Sequence, residues 1–348
     1  CMGEPVAIKT MLDVTEANVK EFRSEILLTA TLRHPNIVNF IGACWGRELI
    51  CLVLEWVAKG TMQQILDENP DMSWEDPLLR LCIDIARGMT YLHGRKFSDN
   101  GNTSGIIHRD LKPENVLVSD FLSAKISDFG TSRSFSAKDN IMMTSVGTPL
   151  FCAPEVMRGE LYDEKADVYA FGMLLLMAAI DEPILDFLKE RYIVMNPAKA
   201  RRASIQMKSQ LKIIRPLIET EWRPVTVERP ILQAPKLIND ILIRCMSSSP
   251  KERPPYSEIL TELESSASSL FFDGKSYTRR NPHKKTNSEN SNKDNSSNVV
   301  VSEASADMER RMSENPMLDD PINAKKYSVG KTKSNTAKEE IMTELTNL

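Results

Sequence analysis

Apolar residues recur at Val19, Phe22, Ile26 and the Leu27/Leu28 pair between Glu16 and Leu32, the spacing of one helical face. Upstream, Val6-Ala7-Ile8-Lys9 reads as a short strand that carries one lysine. Leu49 to Val57 is an apolar, β-prone run ending at Glu55-Trp56-Val57, and Gly60 breaks it. Asp76-Pro77 supplies a cap and a first-turn proline for a helix. That helix carries Leu78, Leu81, Ile85, Met89 and Leu92 on one stripe, which is core packing. Phe97 to Gly105 reads as a polar Asn/Gly/Ser loop. Residues 106–130 hold two short strand-like pairs around a loop, and 131–155 form a polar loop rich in Ser and Thr. Glu164 to Ile180 is apolar on nearly every face, so it is expected to be a buried central helix. Residues 181–222 read as a helical insert and 235–265 as closing amphipathic helices. From about Lys275, Asn, Ser, Lys and Asp dominate and aromatics nearly vanish, the composition of a disordered tail. At its end Thr336 and Glu339 fit a capping box ahead of Ile341, Leu345 and Leu348.

Composition narrows the classes. The chain has 348 residues, room for one large two-lobed domain and extras, and 41% hydrophobic content supports a core. A formal net charge of −4 gives no nucleic-acid footprint. The 6 cysteines are scattered without a CxxC pair, which suits free thiols in a reducing compartment better than a disulfide framework or a zinc site. The longest apolar run, Val168 to Ile180, is too short to span a bilayer, and no signal peptide is visible. A cytoplasmic location is expected, with membrane tethering of a longer parent protein left open.

The chemistry is concentrated in four blocks. His108-Arg109-Asp110-Leu111-Lys112-Pro113-Glu114-Asn115 puts a carboxylate, a lysine and an amide in one loop. Asp128-Phe129-Gly130 and Ala153-Pro154-Glu155 follow it, and Val6-Ala7-Ile8-Lys9 precedes it. In this order and spacing they resemble the protein kinase family over roughly residues 5–265. The resemblance implies an α+β, bilobal protein kinase fold, with an incomplete β-rich N-lobe and a mostly helical C-lobe. The expected organisation is a kinase domain at 1–270 and a disordered Asn/Ser/Lys-rich tail at 271–348 with a short terminal helix. The Gly-rich phosphate loop of that family is absent before Val6, so weak ATP binding and little activity are expected of residues 1–348 alone.

The resemblance also implies roles. ATP would be the phosphoryl donor and Mg²⁺ the metal. Lys9 would hold the α/β-phosphates and Glu25 would hold Lys9, with Glu21 as the alternative. Asp110 would accept the hydroxyl proton, with Lys112 steadying the γ-phosphate. Asn115 and Asp128 are hard oxygen donors suited to Mg²⁺. Leu54, Glu55, Val57 and Leu117 would surround the adenine, Glu55 and Val57 through main-chain atoms. Phe129 is expected under the first helix, Glu155 and Arg253 as a buried ion pair, and Asp167 as an anchor of the catalytic-loop backbone. Thr29 stands where the family usually has a larger residue. For regulation, Arg109 is expected to receive a phosphate on Thr144 or Ser145, added by an upstream activating kinase or by the protein itself.

Lys112-Pro113-Glu114-Asn115 and Gly147-Thr148-Pro149 resemble Ser/Thr kinases, while His34 to Cys44, Ser127 to Arg133 and Asp167 to Gly172 are similar to the tyrosine-kinase-like group, which includes mixed-lineage and Raf-like kinases. The expected function is phosphorylation of Ser/Thr on protein substrates. A dual-specificity or tyrosine kinase and a non-catalytic pseudokinase scaffold remain alternatives.

Overall fold

Alternation and helical spacing produce two layers of structure. In the computed structural model, residues 3, 5–11, 15–46, 50–95, 97–99, 102–135, 149–195, 223–266 and 276–279 are described, all within one unit, Cys1–Asn281. Its small lobe is a three-stranded antiparallel sheet of β1 (Val6–Thr10), β2 (Phe40–Trp45) and β3 (Ile50–Glu55), in the order β1-β3-β2. Lys9 and Ala43 both face Leu52 in the register. The period of two therefore puts the lysine and these apolar residues in one row. β2 was not evident from the sequence.

Helix α1 (Glu16–Thr31) starts at Thr15, whose hydroxyl accepts the Asn18 N–H at 3.2 Å. Its buried residues are Val19, Phe22, Glu25 and Thr29, and Leu27 is 56% exposed. The buried stripe thus passes through an acid rather than the expected Leu27, because the sheet opposite presents Lys9 as Glu25's partner. Thr29 keeps its hydroxyl satisfied by donating to the Glu25 carbonyl at 2.7 Å.

The larger region is helical. After α2 (Met62–Glu68), α3 (Leu78–Gly94) buries Leu78, Leu81, Ile85, Met89 and Leu92 completely. Its cap position is Pro77, without a side-chain cap bond. α5 (Lys165–Ala179) is buried on nearly every face, as its composition demands. Around it lie α4 (Pro154–Met157), α6 (Ile184–Met195), α7 (Lys236–Cys245) and α8 (Tyr256–Ser266), with α7 against α5 and α8 against α3. The rest of the expected insert, 196–222, lies outside the described residues.

The link between sheet and helices runs through Asn36-Ile37-Val38. Val38 N–H donates to the Ile126 carbonyl and Ile126 N–H to the Asn36 carbonyl, both at 2.9 Å. At Gly88 a Cβ would lie 2.8 Å from the Asn36 carbonyl oxygen, so only glycine lets α3 approach this seam.

Two expectations are corrected. Residues 97–105 are a ribbon: β4 (Phe97–Asp99) pairs with β5 (Asn102–Ile107), which pairs with β8 (Arg133–Phe135). Asp99 and Asn102 are register partners; in sequence they flank Asn100-Gly101, a dipeptide that favours two-residue hairpins and lies outside the described residues. The chain also returns to the helices at 276–279, inside the segment expected to be tail. Trp74 N–H donates to the Tyr277 carbonyl at 3.0 Å, and Arg279, 6% exposed, sends its guanidinium to the Leu66, Asn69, Met177 and Ile180 carbonyls. A mostly polar sequence docks here because one arginine satisfies carbonyls at or just past the C-terminal ends of α2 and α5.

Candidate active site

Lys9 joins three elements. From β1 its ammonium stands 2.7 Å from Glu25 Oε1 on α1 and 2.8 Å from Asp128 Oδ1 beyond β7 (Ala124–Ile126). Burial draws the Lys9 pKa down, but the two carboxylates outweigh it and hold it above its usual value. Burial pushes Glu25 up; Lys9 opposes and the Asp128 charge adds to the push, leaving it raised. Asp128 is lowered: against the upward push of burial stand the Lys9 bond and charge, the Gly130 N–H and His108. Phe129 is buried, edge-on to His108 at 5.3 Å.

The second cluster sits on the loop between β5 and β6 (Val116–Val118). Lys112 Nζ donates to Asp110 Oδ2 at 2.7 Å. Asn115 Nδ2 donates to the Asp110 carbonyl at 2.7 Å and to Oδ2 at 2.9 Å. His108 Nδ1 accepts the Asp110 N–H at 3.3 Å, which leaves Nε2 to donate to the Ser127 carbonyl at 3.0 Å. The Ser127 N–H in turn donates to the Asn115 carbonyl at 2.8 Å. Asp110 and Asp128 are thus tied together through His108, Asn115 and Ser127.

Asp167 sets the shape of this loop from below. Its carboxylate, 1% exposed, accepts the His108 and Arg109 N–H groups and His93 Nε2, each at 2.8 Å. Burial alone would raise its pKa; the bond and charge of His93, with His108, hold it below the ordinary range. Arg109 is thereby kept at φ 69°, a left-handed conformation that costs a side-chain-bearing residue about 1–3 kcal/mol, and Asp128 shares that region at φ 64°. The strain brackets the loop. His93 carries no motif, and its only sequence signal was its place in the last turn of α3.

The remaining expected residues fall on one side of the cleft. Leu54 and Glu55 end β3, Val57 is buried just after it, and Leu117 lies on β6. Lys59 N–H donates to the Val118 carbonyl at 3.0 Å and Val118 N–H to the Gly60 carbonyl at 2.8 Å, which brings Leu117 beside the segment leaving β3. Glu55's carboxylate accepts the Asn39 N–H at 2.7 Å and Lys125 Nζ at 2.9 Å, which turns that side chain to Asn39 and Lys125. The sequence did not reveal Lys125 as that clamp. Glu155 and Arg253 form a bidentate pair at 2.6 and 2.8 Å with both side chains buried. Arg109 Nε donates to the Thr131 carbonyl, at the start of the segment that carries Thr144 and Ser145. Those two residues lie outside the described residues.

Asp128 and Asn115 would hold a metal. Asp128 is an exposed carboxylate with a lowered pKa, Asn115 adds an amide oxygen, and among the described residues no three His, Cys, Asp or Glu side chains converge on a point. Two hard donors without a full protein cage suit Mg²⁺ shared with substrate phosphates.

With this geometry in place, comparison with known proteins is decisive. The sequence model of the protein kinase domain matches residues 2–263, and the chain belongs to that family. It is 34% identical over 276 residues to the probable serine/threonine-protein kinase drkA of Dictyostelium discoideum, covering 78% of this chain and 37% of the relative. It is 33% identical over 265 residues to the serine/threonine/tyrosine-protein kinase HT1 of Arabidopsis thaliana, covering 74% of this chain and 58% of that protein. Against the dual specificity protein kinase splA of Dictyostelium discoideum the identity is 31% over 268 residues, 72% of this chain and 10% of the relative. The chain therefore spans about a third of drkA's length.

Proposed function

We propose that this protein transfers the γ-phosphate of ATP to Ser or Thr hydroxyls of protein substrates in intracellular signalling, as a member of the tyrosine-kinase-like group. The observation that carries the reading is Lys9 bonded at once to Glu25 and Asp128, beside an Asp110–Lys112–Asn115 cluster. Lys9, fixed by Glu25, presents its charge to the α/β-phosphates. Asp110 orients the acceptor hydroxyl and takes its proton. Lys112, bonded to that carboxylate, meets the charge that develops on the phosphoryl oxygens. Asp128 and Asn115 would hold Mg²⁺, and the ion would supply positive charge beside the phosphates. Leu54, Val57 and Leu117 enclose the adenine.

Lys112 supports the Ser/Thr preference. The names of HT1 and splA favour one second reading, dual specificity. The test is incubation with labelled ATP, Mg²⁺ and a mixed protein substrate, followed by phosphoamino-acid analysis. Phosphoserine and phosphothreonine, lost in Lys9→Met, support the proposal. Phosphotyrosine beside them moves the reading to dual specificity, and absence of all transfer by a preparation shown to bind ATP supports a scaffold instead.

A further inference from the structure

Two cysteines stand directly opposite one another in the small sheet. Cys44 of β2 and Cys51 of β3 are register partners. Directly opposed residues of an antiparallel pair share a face and have Cα atoms about 4.5–5.5 Å apart. A disulfide requires Cα atoms about 4.4–6.8 Å apart, and the spacing of directly opposed partners falls within that range. Both are free thiols; Cys44 is exposed and Cys51 is 3% exposed. The asymmetry follows from the strand order. β3 is flanked on both sides, whereas β2 stands at the edge.

We propose that Cys44 and Cys51 are a peroxide-responsive modification site, in which Cys44 is oxidised first and Cys51 resolves it to a reversible intrachain disulfide. The Cys44 sulfur attacks the peroxide, the O–O bond breaks, and the sulfur becomes a sulfenic acid as water leaves. The Cys51 sulfur then attacks the sulfenic sulfur, the S–S bond forms, and the hydroxyl departs as a second water with the Cys51 proton. Two thiols are oxidised and one peroxide is reduced. Other described thiols do not compete. Burial pushes Cys82 and Cys245 up to about 12, and burial with the nearby Asp110 charge pushes Cys152 up to about 11. The link would pin β2 to the strand that carries Leu54 and Glu55, and Thr10 is Cys51's partner on its other side. This site stands independently of the phosphoryl-transfer reading.

The experiment uses the full chain bearing Cys1→Ser, which removes a thiol outside the described residues. The protein is treated with hydrogen peroxide, alkylated and digested with trypsin without reductant. Arg47 lies between the two cysteines, so cleavage separates them unless they are linked. The expected result is a linked pair of peptides containing Cys44 and Cys51, lighter by two hydrogens than the two thiol peptides together and separated by dithiothreitol. In Cys44→Ser, an exposed change that leaves the core untouched, Cys51 should stay a thiol at the same dose. In Cys51→Ser, Cys44 should be trapped by dimedone as the sulfenic acid. Accumulation of Cys44 sulfinic acid beside a Cys51 thiol in the parent, or a link joining two molecules, would overturn the proposal.

Discussion

Arg279→Ala removes a cation that reaches the main chain of two helices and their ends. Its guanidinium donates to the Leu66 and Ile180 carbonyls and, at 3.4 and 3.3 Å, to those of Asn69 and Met177. A hydrogen bond to a charged group contributes about 1.5–3 kcal/mol net, so two such bonds together stabilise the fold by roughly 3–6 kcal/mol. Against this stands the desolvation of the arginine, whose Nε is buried without a partner, at a cost of about 1–3 kcal/mol. The balance is about 2.5 kcal/mol, which in a domain this large lowers the melting temperature by roughly 5–10 °C. Thermal unfolding followed by far-UV circular dichroism measures it on the full chain. Arg279→Lys, which keeps the charge but not the planar fork, should recover only part of the loss. If Arg279→Ala melts within a degree of the parent, the 276–279 segment does not hold α2 to α5 and the reasoning fails.

Three further outcomes are expected. Asp110→Asn should keep the fold while lowering kcat by about 10²-fold or more in any preparation with measurable turnover, the scale of a positioned base; near-normal kcat would remove Asp110 from the mechanism. Arg253→Ala should cost about 3–5 kcal/mol in urea unfolding, because Glu155 is left charged and buried; a change under about 1 kcal/mol would mean that Glu155 finds another partner. Asp167 has a folded-state pKa below its unfolded value near ~3.9, so its stabilisation is fully present above that pH and is lost as pH falls through the folded-state value. Asp167→Asn should therefore be less stable than the parent at neutral pH and lose less stability below about pH 4; parallel acid limbs in the two proteins would refute the assignment.

The parts of this fold legible in the sequence were those in which one periodicity served one purpose. The α3 stripe and the all-round apolar α5 pack where the pattern put them, and β1 delivers Lys9 to Glu25. α1 was read correctly as a helix with Val19 and Phe22 on its buried face, but Leu27 is exposed and Glu25 and Thr29 complete the stripe, because a hydrophobicity count cannot weigh a buried acid with a cation opposite. The β4–β5 ribbon was hidden for a different reason. Its pairing is main-chain to main-chain, and polar side chains leave no alternation to detect, although Asn100-Gly101 was a usable signal. Arg279 and His93 were illegible, since each acts on groups distant in sequence: carbonyls of α2 and α5 for one, an α5 carboxylate for the other. Motif spacing fixed Asp110, Asn115 and Asp128, but not the His108 imidazole and Ser127 main chain that couple them.

The candidate site is divided between supports of unequal firmness. Asp110 and Asn115 hang from Asp167 on the deepest helix, so their arrangement shares the opening free energy of the main core and should survive until the domain unfolds as a whole. Lys9 and Glu25 ride on a sheet of three strands and one helix with an exposed outer face. Amide hydrogen exchange should reach β1 and α1 well before α5. On the proposed reading, as temperature rises Lys9's grip on the phosphates would loosen while Asp110 still holds its place, so nucleotide affinity would decline ahead of the turnover of molecules already loaded.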